Sequence, residues 1–67
     1  MRIEARNVLI TGGGGQLASD LEEQLRERCR VSAPSRGELD ITDQDALDRA
    51  FERVQPAVVF NCAAFHN

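Results

Sequence analysis

Four consecutive glycines, Gly12 to Gly15, separate an apolar run from a segment of helical periodicity. A glycine inside a helix or strand costs roughly 0.5–1 kcal/mol relative to alanine, so both neighbouring elements have to end at this run. On its N-terminal side, Asn7-Val8-Leu9-Ile10-Thr11 is short, apolar and β-branched, which predicts a strand buried on both faces. On its C-terminal side, Leu17, Leu21 and Leu25, with Ala18 beside them, recur at helical spacing among Asp20, Glu22, Glu23, Arg26 and Glu27. That pattern predicts a one-sided amphipathic helix from Gln16 to about Arg28.

Beyond it, Arg30-Val31-Ser32-Ala33 reads as a short second strand stopped by Pro34, which has no amide hydrogen to donate. Ser35 to Glu38 reads as a turn and Leu39-Asp40-Ile41 as a very short extended segment. Thr42 offers a side-chain oxygen for a helix N-cap, with Asp45 three residues on and Asp43 adding charge to the first turn. Leu47, Ala50, Phe51 and Val54 fall at helical spacing, and Pro56 lies just past the end. Ala57 to Asn61 predicts a third strand, also buried on both faces, followed by Cys62-Ala63-Ala64-Phe65-His66-Asn67. Strand, glycine loop, helix, strand, helix, strand is the order of an α/β nucleotide-binding unit. The expected fold is a Rossmann-like parallel sheet with flanking helices, the N-terminal part of a doubly wound fold.

The chain has 67 residues, enough for one small domain that buries roughly 60% of its unfolded surface. An apolar fraction of 42% and a charged fraction of 28% suit a soluble globular piece. Its eight arginines are scattered among eleven acids and the net charge is −3, which argues against nucleic acid or an anionic membrane as partner. The N-terminus lacks the apolar core of a secretory signal, and no apolar run approaches the roughly 18 residues of a membrane span. Cys29 and Cys62 are therefore expected as reduced thiols in a cytoplasmic protein. Cys62 and His66 offer only two ligands, so no metal site is expected, and Asp43, Asp45 and Asp48 read as a helix start and its wet face.

The sequence contains no lysine and no tyrosine. It cannot supply an ammonium for a Walker phosphate loop or a phenol as proton donor, so ATP hydrolysis of the Walker type is excluded. What the glycine run can hold is a dinucleotide. Gly12, Gly15 and Ala18 fit G-x-x-G-x-x-A, and Gly13, Gly15 and Ala18 fit G-x-G-x-x-A; the spacing does not choose between them. In either register an early glycine permits a tight turn, and Gly15 lets backbone amides near Gln16 and Leu17 approach a pyrophosphate at the positive end of the helix dipole. At the tip of the second strand, where an acid would hold the ribose of NAD, the chain reads Ala33-Pro34-Ser35-Arg36. Ser35 can donate to a 2′-phosphate and Arg36 can pair with it, which favours NADPH over NADH. The alternative is that Arg36 is a solvated turn residue and Glu38 bends back to the ribose.

VLITGGGGQLASDL, ELDITDQDAL and VQPAVVFNCAAF, in this order, resemble the N-terminal part of the dTDP-4-dehydrorhamnose reductases, extended short-chain dehydrogenase/reductases that reduce a 4-keto sugar nucleotide with NAD(P)H. The resemblance covers Asn7 to Asn67. It implies a pyrophosphate on Gly15, Gln16 and Leu17 with Gly12 in the turn, and an adenine lined by Asp40 and Ile41. It also implies that Ala63, Ala64 and Phe65 pass beside the nicotinamide-side ribose. The third glycine of the motif is Ala18 here. The family's Tyr-x-x-x-Lys pair and its sugar-nucleotide domain are absent, so residues 1–67 are expected to be the N-terminal part of the NAD(P)-binding domain, inactive alone, with no catalytic residue. A sugar nucleotide becomes a partner only with those missing parts. An open apolar edge at Val58, Val59 and Phe60 is expected to promote association. Alternatives are an extended short-chain epimerase or dehydratase, or a non-catalytic module like the regulatory subunit of methionine adenosyltransferase.

Overall fold

The computed structural model describes residues 6–62. Three strands and two helices follow in the order β1 (Asn7–Thr11), α1 (Gln16–Leu25), β2 (Arg30–Ser32), α2 (Gln44–Val54) and β3 (Val58–Asn61). All pairing is parallel and the sheet order is β2-β1-β3, with Val8 opposite Val31 on one side and Val58 on the other. This is a Rossmann-like α/β unit. Parallel neighbours require crossovers, and α1 and α2 supply them.

β1 is central because its apolar run serves both faces. Val8, Leu9 and Ile10 are fully buried. Val8 and Ile10 join Ala18, Leu25 and Cys29 in the core beneath α1, with Leu21, Val31, Val58 and Phe60 packed around them. Leu9 alternates to the opposite face, where α2 packs on β1. The Asn7 side chain donates to the Val54 carbonyl at 3.0 Å, satisfying a group left open at the end of α2 and tying that helix to β1.

Four sequence expectations are corrected. α1 stops at Leu25 rather than about Arg28, because the chain tightens into a turn in which both Arg28 and Cys29 donate to the Leu25 carbonyl. No strand forms at Leu39 to Ile41, and the chain turns there, with Asp43 N donating to Asp40 O at 3.0 Å. The N-cap of α2 is Asp43, whose carboxylate accepts from the Ala46 N–H at 3.2 Å, and not Thr42, whose hydroxyl donates to Asp40 at 2.6 Å. β3 is not buried on both faces: burial alternates along it and Val59 is 42% exposed. Among the described residues β3 pairs only with β1, so its other edge carries no partner strand. No helix among them is long and apolar enough to cross a membrane.

Candidate functional site

β1 and β3 end in register at Thr11 and Asn61, and β2 ends at Ser32, opposite Leu9. Their following loops meet above β1, the strand from which the chain departs first to β2 and later to the opposite side at β3. In open parallel sheets that reversal opens a crevice at the carboxyl ends of the strands. A cleft of about 610 Å³ lies there, lined by Gly12 to Ala18, by Ser35, Arg36 and Gly37, and by Cys62.

The glycine loop has a conformation for which its residues are needed. Gly12 and Gly14 have φ of 77° and 98°, in the left-handed region that side chains disfavour. Gly13 is needed for a different reason: a Cβ there would lie 2.3 Å from the Ala33 carbonyl oxygen and 2.8 Å from that of Pro34. The loop is thereby pressed against the tip of β2, with the Gly13 N–H donating to Pro34 O at 2.9 Å and a parallel bridge between Gly13 and Ser35. Gly15 is unlike the others. Its φ is −90°, and a Cβ added to it would meet no atom within 4 Å.

Gly15 is also the N-cap of α1, and no side chain caps this helix start. The first turn holds no acid, and the Gln16 side chain turns away to donate to Asp20 at 3.0 Å. The N–H groups of the first turn are left without intrahelical acceptors, beside the positive end of the helix dipole. Open space at Gly15, uncapped amides and no competing carboxylate form a fit for an anionic diphosphate.

At the tip of β2 the Ser35 N–H donates to Glu38 Oε1 at 2.8 Å. Hydrogen bonds from the Ser35 backbone and hydroxyl hold the Glu38 carboxyl below its ordinary pKa, and Arg53 adds a smaller push in the same direction. Asp40 Oδ1 accepts from the Thr42 hydroxyl and, at 2.9 Å, from the Thr42 N–H. These two bonds lower its pKa, with a smaller contribution from Arg36. At the crest of the sheet the buried Thr11 hydroxyl donates to Asn61 Oδ1 at 2.8 Å, across the β1–β3 register.

Of the residues singled out from the sequence, Gly12, Gly15, Gln16, Leu17, Ser35 and Arg36 line one cleft. Asp40 and Ile41 do not line it, and Asp40 Oδ1 is engaged by Thr42. Ala63, Ala64 and Phe65 lie outside the described residues. Cys62, expected from the sequence only as a reduced thiol, also lines the cleft; its place directly after the end of a parallel strand is the signal for it. No cluster of metal-ligating side chains occurs among the described residues.

The family described as RmlD substrate binding domain matches residues 6–67. The chain belongs to this family. Three curated relatives show how the match is distributed. It is 47% identical to a dTDP-4-dehydrorhamnose reductase of Streptomyces griseus, over 85% of this chain and 19% of the relative. It is 41% identical to the spore coat polysaccharide biosynthesis protein SpsK of Bacillus subtilis (strain 168), over 87% and 21%. It is 40% identical to a dTDP-4-dehydrorhamnose reductase of Aggregatibacter actinomycetemcomitans, over 87% and 20%. The chain thus spans about a fifth of the length of these family relatives. No solved structure matches it significantly.

Proposed function

We propose that the chain is the dinucleotide-holding, N-terminal part of the NAD(P)-binding domain of a reductase acting on 4-keto sugar nucleotides, of the dTDP-4-dehydrorhamnose reductase kind. The observation that carries this reading is the uncapped start of α1 beside Gly15, whose missing side chain leaves open space in the cleft. The names of the relatives, dTDP-4-dehydrorhamnose reductases, support the reaction class, and a role in dTDP-rhamnose biosynthesis is part of the proposal.

In this reading Gly12 and Gly14 shape the turn, and the amides of Gln16 and Leu17 donate to the diphosphate. Ser35 and Arg36 face the adenosine ribose, where a 2′-phosphate makes NADPH the preferred cofactor. When bound, the dinucleotide supplies the hydride. The 67 residues contain no Tyr and no Lys, so they cannot supply the Tyr-Lys pair expected to protonate the substrate oxygen, and the chain alone is expected to reduce nothing.

The test is an amide NMR titration of the chain with NADPH. Saturable shifts at Gly15, Gln16 and Leu17 are expected, with little change on the outer face of α2. Shifts absent from the glycine loop at millimolar NADPH, with the fold intact, would reject the reading.

A further inference from the structure

The register of α2, fixed at its start by the Asp43 cap, sets Ala46, Arg49, Ala50 and Arg53 three and four residues apart, on one face of the helix. That face lines a groove of about 500 Å³ together with Pro34, Glu38 and Leu39 of the segment after β2. The groove shares no lining residue with the glycine cleft. Its floor is apolar: Leu39 and Ala50 are buried, and Pro34 and Ala46 are half-buried. Arg49 and Arg53 are exposed above it, and among the described residues no hydrogen bond or ion pair engages either guanidinium. The acids of α2, Asp45, Asp48 and Glu52, do not line the groove. Glu38 does, but its carboxylate accepts from the Ser35 N–H at 2.8 Å and from the Ser35 hydroxyl, and Arg53 is the smallest of the influences on it.

We propose that this groove is a second ligand site, separate from the glycine cleft, which takes a small phosphate monoester with an apolar body, its phosphate across Arg49 and Arg53 and its body on Pro34, Leu39, Ala46 and Ala50. Two guanidiniums one helical turn apart repel each other when nothing lies between them. A phosphate monoester carries about two negative charges near pH 7, which matches the pair, and its oxygens suit the planar donor forks of arginine. The volume of the groove lies within the roughly 300–1,000 Å³ of small-molecule sites, which are mostly apolar with a few polar groups that orient the ligand. Glu38 is held on Ser35, so its charge does not neutralise the arginines, and α2 is the wall that the phosphate faces. Nothing in this inference depends on the dinucleotide reading.

The experiment is an amide NMR titration of the chain with phenyl phosphate, inorganic phosphate and phenol, with far-UV circular dichroism reporting the fold. Phenyl phosphate is expected to give saturable shifts at Leu39, Ala46, Arg49, Ala50 and Arg53. Inorganic phosphate lacks the apolar body and phenol lacks the charge, so each is expected to bind there about tenfold more weakly or less. The double variant Arg49→Gln, Arg53→Gln is expected to lose about tenfold or more in phenyl phosphate affinity at the groove, the weight of at least one charge-assisted hydrogen bond, while the response of the glycine loop to NADPH stays within about twofold. Should that variant not fold, the comparison of the three probes on the wild-type chain carries the test. Absence of saturable shifts at the groove, affinity unchanged in the folded double variant, or inorganic phosphate or phenol binding as tightly as phenyl phosphate would each overturn the inference. Shifts with phenyl phosphate confined to Gly12 to Leu17 would overturn it and leave the dinucleotide reading intact.

Discussion

Replacing Gly13 by alanine tests how the glycine loop is built. The added Cβ would stand 2.3 Å from Ala33 O, 2.8 Å from Pro34 O and 3.0 Å from Ala33 C, all backbone atoms that no rotamer change can move aside. Relief requires the tip of β2 to separate from the loop, which breaks the 2.9 Å bond from Gly13 N to Pro34 O and the bridge to Ser35. Overpacking costs about 1–3 kcal/mol and a lost hydrogen bond about 1 kcal/mol, so the sum is about 2–4 kcal/mol. A chain of this length has only roughly 3–10 kcal/mol in total, and the variant is expected to lose about a fifth of it or more. Gly14→Ala is the control: its Cβ meets nothing within 4 Å, and the cost is that of a left-handed φ, about 1–2 kcal/mol. Urea unfolding followed by far-UV circular dichroism would rank the two. Equal stability for Gly13→Ala and wild type, or a larger loss for Gly14→Ala, would refute the close approach as the reason for Gly13.

Three further expectations use the same assay. Thr11→Val removes the 2.8 Å bond to Asn61 while keeping the volume of a buried residue, and should cost about 1 kcal/mol; no loss would mean that this bond does not hold the crest of the sheet. Asp43→Ala should cost about 1 kcal/mol as a lost N-cap, more than Thr42→Ala, and the reverse order would restore Thr42 as the cap. Glu38 and Asp40 both have folded pKa values below their unfolded ones. Their contribution is therefore complete above the unfolded values and is lost as pH falls through the folded ones. The urea midpoint should hold steady from pH 7 to about 5 and drop below it, and Glu38→Gln should flatten that drop.

The element order was legible because β1 announces itself twice, by an apolar run that suits a strand buried on both faces and by the glycines that end it. The helices were legible from leucine spacing in α1 and from Leu47, Ala50 and Val54 in α2. An apolar run, however, records what a strand could bury and not what covers it, which is why Val59 was misjudged. Thr42 and Asp43 are both cap-competent, and the choice between them depends on Asp40 claiming the Thr42 hydroxyl. Six of the residues singled out for the site came together because they flank strand ends. The contact of Gly13 with the Pro34 carbonyl and the Glu38 carboxylate on Ser35 were not legible. The first depends on the register between segments some twenty residues apart, and the second on a turn whose side-chain direction no periodicity encodes.

We propose that Gly15 is a glycine for the sake of a ligand, whereas Gly12, Gly13 and Gly14 are needed by the fold itself. Gly15→Ala separates these roles in one variant, measured by urea unfolding and by NADPH titration. Unfolding within about 0.5 kcal/mol of wild type is expected, because φ is −90° and the Cβ meets no protein atom. NADPH affinity is expected to fall at least about tenfold, the equivalent of about 1.4 kcal/mol, as the methyl group enters the space the diphosphate would occupy. Unchanged affinity in a stable Gly15→Ala chain would contradict the account.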